Sequence, residues 1–176
     1  MEKPYLRQLR PDELDNAYRI LVGASEWLTA KGIRQWTTAY PKQLYWTCHA
    51  NGWNHGLICD GQLAVVLTLS PEAPAEWVDC VGTVPAWWLS KLATAPPFRG
   101  RGVGALALRE VIDHLSAQGA ERLCLDCVYG NGFLVDFYER LGFKTIDRRD
   151  VSFPTGLFDM VLMELTLAKS PDMLHT

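Results

Sequence analysis

The sequence predicts a mixed α/β domain whose sheet is mostly antiparallel and flanked by helices. Three observations carry this reading. Strand-like runs alternate with amphipathic helical segments along the chain. Two pairs of such runs are joined by short turns, Asp60-Gly61 and Pro154-Thr155-Gly156, which makes their strands antiparallel neighbours. A third run, Ala86 to Thr94, passes through a glycine-rich loop into a helix. The chain has 176 residues, 48% of them hydrophobic, which suffices for one well-buried core. No repeat, linker or low-complexity segment divides it. A single domain over residues 1–168 with a C-terminal tail over 169–176 is expected.

Tyr5 to Leu9 alternates enough for a first strand. Pro11 suits the first turn of a helix, and Leu14, Ala17, Tyr18, Leu21, Trp27 and Leu28 give it an apolar stripe ending near Gly32. The segment from Ile33 to Trp53 is rich in aromatics, and Pro41 predicts the start of a short second helix ending near Gly52. His55–Cys59 and Gln62–Ser70 read as a hairpin, because Asp-Gly suits a two-residue type I′ turn. Pro71 and Pro74 lie in a loop, and a short strand is expected through Trp77 to Val81. After the glycine loop, Val103, Leu106, Ala107, Val111, Ile112 and Leu115 keep the three-and-four spacing of one buried helical face. Arg122–Val128 is a strand with Leu123, Leu125 and Cys127 on one face and Cys124, Asp126 and Val128 on the other. A helix is expected from near Asn131 to Leu141, and Lys144–Phe153 and Phe158–Leu167 read as closing strands.

The formal net charge of −3 argues against general affinity for nucleic acid or anionic membrane. Five cysteines, at positions 48, 59, 80, 124 and 127, are odd in number and lack the density of a disulfide scaffold. Cys124 and Cys127 form a C-x-x-C inside a strand with no second ligand pair, and are read as small buried hydrophobes. The four histidines show no metal spacing, so no metal is expected, and His114 should face solvent. No signal-peptide pattern opens the sequence and no apolar run approaches the ~20 residues of a membrane span. A cytoplasmic setting is expected.

The stretch with most chemical content is Leu92 to Gly104. A strand running into a glycine loop and then a helix N-terminus brings backbone N–H groups close to a ligand, and such amides suit phosphate. Arg99 and Arg101 add positive charge there. No Walker-type loop is present. Gly102, Gly104 and Ala107 match the short dinucleotide pattern G-x-G-x-x-A, with Asp126 at a suitable distance for a ribose contact. Against that reading, five residues (Ala95 to Arg99) separate strand from glycine, and no further strand-helix-strand unit follows Val128 beyond one helix. Arg99, Gly102 and Gly104 also satisfy the pattern Gln/Arg-x-x-Gly-x-Gly/Ala.

That last loop resembles the pyrophosphate-binding motif of the GNAT N-acetyltransferase superfamily. A second block, Asn131 to Phe143, is similar to the family's Asn…Tyr-Glu-x-x-Gly-Phe segment, and the two blocks occur in the family's order. The resemblance covers residues 86–145 well. It implies a GNAT-like sheet with splayed central strands, and acetyl-CoA as co-substrate. Carried over by position, Leu92, Ala93 and Thr94 would offer backbone groups to the pantetheine arm and acetyl carbonyl. Amides of Arg99, Gly100, Arg101, Gly102, Val103 and Gly104 would hold the pyrophosphate. Tyr138 would be the general acid for the leaving thiolate, and Asn131 would touch the pantetheine. Asp126 would face the acceptor amine as base or counter-ion.

The acceptor pocket of this fold is usually built from the first two helices and their loop, where this chain carries Trp27 and Trp36. Aromatic walls suit a small, partly apolar amine. The expected function is N-acetyl transfer from acetyl-CoA to a primary amine by direct attack, with a homodimer as a possible assembly. Two other readings stay open: a non-catalytic acyl-CoA sensor, and a dinucleotide-dependent oxidoreductase.

Overall fold

The computed structural model describes residues 2–33, 40–130 and 132–168. Its strands are β1 (Tyr5–Gln8), β2 (Asn54–Cys59), β3 (Gln62–Ser70), β4 (Trp87–Thr94), β5 (Arg122–Val128), β6 (Lys144–Phe153) and β7 (Gly156–Thr166). Its helices are α1 (Leu14–Ala30), α2 (Lys42–Ala50), α3 (Val103–Ala117) and α4 (Gly132–Arg140). The strands form one sheet in the order β1-β2-β3-β4-β5-β7-β6. The β4·β5 pair is parallel, whereas β1·β2, β2·β3, β5·β7 and β6·β7 are antiparallel. The expected α/β class with a mostly antiparallel sheet is what the chain adopts. Two compact units divide it, one of residues 1–69 and 90–110, the other of residues 70–89 and 111–176, so that β4 and α3 each contribute to both.

In the first unit the hairpin β2–β3 turns at Asp60 (φ +47°) and Gly61 (φ +73°), the two left-handed residues of a type I′ turn. Ala64 to Leu69 are all buried, which accounts for an apolar run interrupted only by Thr68. Helix α1 covers this surface with Leu14, Ala17, Ile20, Leu21 and Ala24. Its apolar stripe stops there: Trp27, expected to belong to it, is 41% exposed. Tyr45 of α2 is fully buried, and α2 is tied to β2 because Asn54 Nδ2 donates to the Tyr45 carbonyl at 2.9 Å. Thr68 Oγ1 in turn donates to Asn54 Oδ1 at 2.8 Å, so this buried amide is satisfied on both sides.

In the second unit β5 pairs along its whole length with β7, from Arg122↔Thr166 to Val128↔Met160. The core gathers Trp77, Ala86, Trp88, Cys124, Val151, Phe158, Met160 and Leu162. The strand expected through Trp77 to Val81 is instead a 3-10 turn, Ala75–Cys80. Pro74 sets the entry to that turn and Glu76 sits in its first turn, a start pattern that outweighs the apolar residues behind it. Arg122 fixes the chain that follows, donating to the carbonyls of Val81 and Val84 and pairing with Glu164 at 2.6 Å.

Helix α3 buries Ala107, Leu108, Val111 and Leu115 at 1% exposure or less, while Leu106 and Ile112 are half-buried. The inward face is therefore turned toward Leu108 relative to the face expected from the apolar spacing. No described helix is long and apolar enough to cross a membrane.

Candidate functional site

The first unit carries the glycine loop. β4 leads into it through Leu92 and Thr94, both half-buried, and Ala93, which is packed into the core. Lys91 ahead of them has φ +56°, a left-handed backbone that costs a non-glycine residue on the order of 1 kcal/mol. This interrupts the regular pleat of the strand. The Lys91 ammonium lies 4.2 Å from the centre of the Tyr40 ring and 3.2 Å from Ser90 Oγ. Nothing in the sequence pattern marks Lys91 as special.

Beyond β4, Pro96–Phe98 form one 3-10 turn. The Arg99 and Arg101 amides fold back onto the carbonyls of Pro96 and Phe98, each at 3.3 Å. Gly100 (φ +74°) and Gly102 (φ +73°) are both left-handed, which explains glycine at each. A β-carbon placed on either would meet nothing within 4 Å, so the space before both backbones is open. The first helical bond of α3 runs from the Leu106 amide to the Gly102 carbonyl at 3.2 Å. The amides of Val103, Gly104 and Ala105 precede it and have no helical carbonyl to reach. Together these features form a cradle with orphan N–H groups and the positive end of a helix dipole, which fits a pyrophosphate.

The two arginines of the loop differ. Arg101 is exposed, whereas Arg99 is half-buried and turns inward. Arg99 reaches the carbonyls of Thr94 and Gly23, each at 3.4 Å, and its guanidinium lies 5.3 Å from the centre of the Trp27 ring. The same ring takes the Lys31 ammonium at 4.6 Å. Trp27, expected as an acceptor contact, is thus also the aromatic platform of a loop arginine. Trp36, the other expected acceptor contact, lies outside the described residues.

The second unit carries the side chains proposed for proton transfer. β5 alternates as expected, and half-buried Asp126 lies on the face shared with Cys124 and Val128. Trp77 donates from Nε1 to Asp126 Oδ2 at 2.8 Å. Tyr138 is 7% exposed on α4, its ring 5.2 Å from Phe137 and 5.8 Å from Phe143 between ring centres. Burial pushes its hydroxyl well above the usual tyrosine range, and neighbouring Cys127 and Asp126 add to the effect. The structure brings Asp126, Cys127 and Tyr138 into one neighbourhood. Asn131, expected to touch the pantetheine, lies outside the described residues.

Arg149 on β6 went unnoticed in the sequence. Its guanidinium lies 4.7 Å from the centre of the Trp77 ring and donates to both oxygens of Asp79, at 2.9 and 3.1 Å. It also pairs with Asp147. The charged run Asp147-Arg148-Arg149-Asp150 on a closing strand gives no hint of this, because Trp77 and Asp79 lie about seventy positions away.

The sequence model of the acetyltransferase (GNAT) family matches residues 21–143. The chain is similar to the uncharacterized N-acetyltransferase YesJ of Bacillus subtilis (strain 168), 29% identical over 140 residues covering 76% of this chain and 77% of that protein. It is also similar to the ribosomal protein bS18-alanine N-acetyltransferase of Salmonella typhimurium, 33% identical over 82 residues. That match covers 46% of this chain and 55% of the Salmonella protein. Among solved structures, a GNAT-family acetyltransferase from Listeria monocytogenes 4b F2365 superposes with a TM-score of 0.78. The superposition covers 93% of this chain and 95% of that one at 17% identity. The family match takes in well over half of the chain, including the glycine loop and Tyr138, and the protein belongs to the GNAT family as an acetyl-CoA-dependent acyltransferase.

Proposed function

We propose that residues 1–168 act as one acyltransferase domain that passes an acetyl group from acetyl-CoA to a primary amine by direct attack in a ternary complex. The observation that carries this is the cradle at Gly100 and Gly102, where two left-handed glycines leave open space before the start of α3. Backbone amides of Gly100, Gly102, Val103 and Gly104 are assigned to the pyrophosphate, flanked by Arg99 and Arg101, whose own amides bond within the loop, and the backbone of Leu92, Ala93 and Thr94 to the pantetheine and acetyl carbonyl. Asn131 is proposed as a further pantetheine contact.

Acetyl-CoA supplies an activated thioester whose carbon–sulfur bond breaks as the new carbon–nitrogen bond forms. Tyr138 is protonated at neutral pH, as any tyrosine is, and serves as general acid toward the departing sulfur. Asp126 receives the cationic amine and takes its proton directly or through water. Trp27 and Trp36 are the candidate aromatic walls for a small acceptor. The similarity to a bS18-alanine acetyltransferase favours a second reading of the acceptor, the α-amine of a protein N-terminus.

Calorimetric titration with acetyl-CoA, with NADH as control, tests the first assignment: saturable binding of acetyl-CoA alone is expected. Thiol release is then followed with three acceptors: phenethylamine, spermidine and a hexapeptide beginning with alanine. Turnover with either small amine supports the small-acceptor reading, and turnover with the hexapeptide alone selects the protein N-terminus. Binding without turnover of any of the three leaves an acyl-CoA sensor.

A further inference from the structure

A buried indole needs a partner for its N–H, and Trp77, at 0% exposure, uses Asp126. Two features set this pair apart from ordinary satisfaction of a core donor. First, the acceptor is the carboxylate assigned above to the acceptor amine. Second, the indole is itself held from its other side of the network by charge. Arg149 lies against the ring and is anchored by Asp79, by Asp147, by the Glu76 carbonyl at 3.2 Å and by Cys80 Sγ at 3.2 Å. Asp147 is available to it because residues two apart on a strand share a face, and the β6·β7 register is regular from Asp147 through Arg149. The Cys80 thiol donates to the same Asp147 carboxylate at 3.4 Å. The 3-10 turn Ala75–Cys80 therefore presents Trp77, Asp79 and Cys80 together to one arginine.

We infer that Trp77 is a positioning residue: its N–H orients the Asp126 carboxylate for the acceptor amine, and Arg149 locks the indole in place. The inference rests on the acceptor role given to Asp126 under the proposed function. A neutral N–H donor at 2.8 Å fixes the carboxylate's rotation without removing its charge, which is what an amine-binding group needs. The indole is thus held by two charged groups, Arg149 on its face and Asp126 on its N–H, and Arg149 is in turn fixed by Asp79 and Asp147. Misplacing a reacting group by an ångström is enough to slow a reaction about hundredfold, so a lost orienting bond has a measurable effect.

The test is Trp77→Phe, which keeps an aromatic face for Arg149 and removes the donor. With the acceptor of the three that gives the most turnover, kcat/KM for the amine is expected to fall about tenfold to hundredfold. The acetyl-CoA Kd measured by calorimetry should stay within about threefold of the parent. In an Asp126→Asn background the same change should add nothing, because the bond it removes acts through that carboxylate. Additive losses, or an equal loss of acetyl-CoA binding, would mean that Trp77 only supports the core and would overturn the inference. Should the phenylalanine variant fail to fold, Arg149→Gln carries the same comparison: a raised amine KM, unchanged acetyl-CoA affinity and no further loss with Asp126→Asn. Absence of turnover by the parent chain removes the acetyl-transfer reading and the positioning role with it. Normal turnover by Trp77→Phe removes the positioning role alone.

Discussion

The Gly102 carbonyl accepts the first helical hydrogen bond of α3, from the Leu106 amide at 3.2 Å, while the Gly102 backbone itself stands at φ +73°. The residue that opens the helix is therefore one that only glycine occupies without strain. A substitution there acts on two things at once, the backbone conformation and the space in front of the loop.

Gly102→Ala is expected to lose on the order of 1 kcal/mol of stability from left-handed strain. It should also weaken acetyl-CoA at least about tenfold, since its methyl group enters the open cradle. Gly32→Ala is the control, because Gly32 has φ +70° and equally open space but follows α1. It should lose similar stability in a urea melt and keep the parent's acetyl-CoA Kd. Equal affinity for the two variants would show that the cradle does not hold the phosphates.

Tyr138→Phe removes one buried oxygen and leaves the ring contacts with Phe137 and Phe143. If the hydroxyl is the general acid, kcat at saturating acetyl-CoA should drop about a hundredfold or more while the acetyl-CoA Kd barely moves. A kcat within about twofold of the parent would assign Tyr138 to the core alone.

These two sites were legible in the sequence for different reasons. The glycine loop is local: left-handed positions, a preceding strand and a following helix all fall within a dozen residues. Tyr138 lies in a second local block, Asn131 to Phe143, and its proposed role comes from the resemblance of that block to the family segment. Trp77 and Arg149 were not legible. The Pro74 start pattern was hidden by the apolar residues Trp77, Val78 and Val81, which also suit a strand. Arg149 acquires its meaning only when β6 brings it to a turn some seventy residues earlier. Local chemistry is written in order along the chain, whereas long-range pairs between charges depend on register and bulges that no spacing rule reveals.

The entry to α1 makes stability depend on acid. Glu13 pairs with Arg7 at 2.6 Å and accepts from the Arg10 amide at 2.8 Å, with its side chain 22% exposed. The hydrogen bond from Arg7 is the main cause that lowers its carboxyl from 4.5 to about 2. Because the folded value lies below the unfolded one, this stabilisation is complete above about pH 5 and is lost as pH falls through 4.5 toward 2. Glu13→Gln should cost about 1–2 kcal/mol at pH 7 and flatten the acid limb of a stability profile. Asp15→Asn, which breaks an exposed pair with Lys42, should change neither. A parent profile flat from pH 5 to 2.5 would contradict this account.

The cysteines provide a test of the core. Cys124 and Cys127 are buried on opposite faces of β5, and desolvation pushes both thiols up to about 12. The thiolate is the reactive form, so neither should react at neutral pH while the chain is folded. Three residues along a strand span roughly 10 Å, beyond the ~7 Å limit for a disulfide, so this C-x-x-C cannot close on itself. Cys48 and Cys59 are also buried, which leaves half-buried Cys80 as the most accessible thiol, held by Arg149 and Asp147. A chromogenic disulfide reagent should titrate at most this one thiol slowly in the native protein and all five in denaturant. Cys80→Ser should abolish the slow native phase and Cys127→Ser should leave it intact. Rapid native labelling at Cys124 or Cys127 would mean that β5 opens on its own, and with it the seat of Asp126.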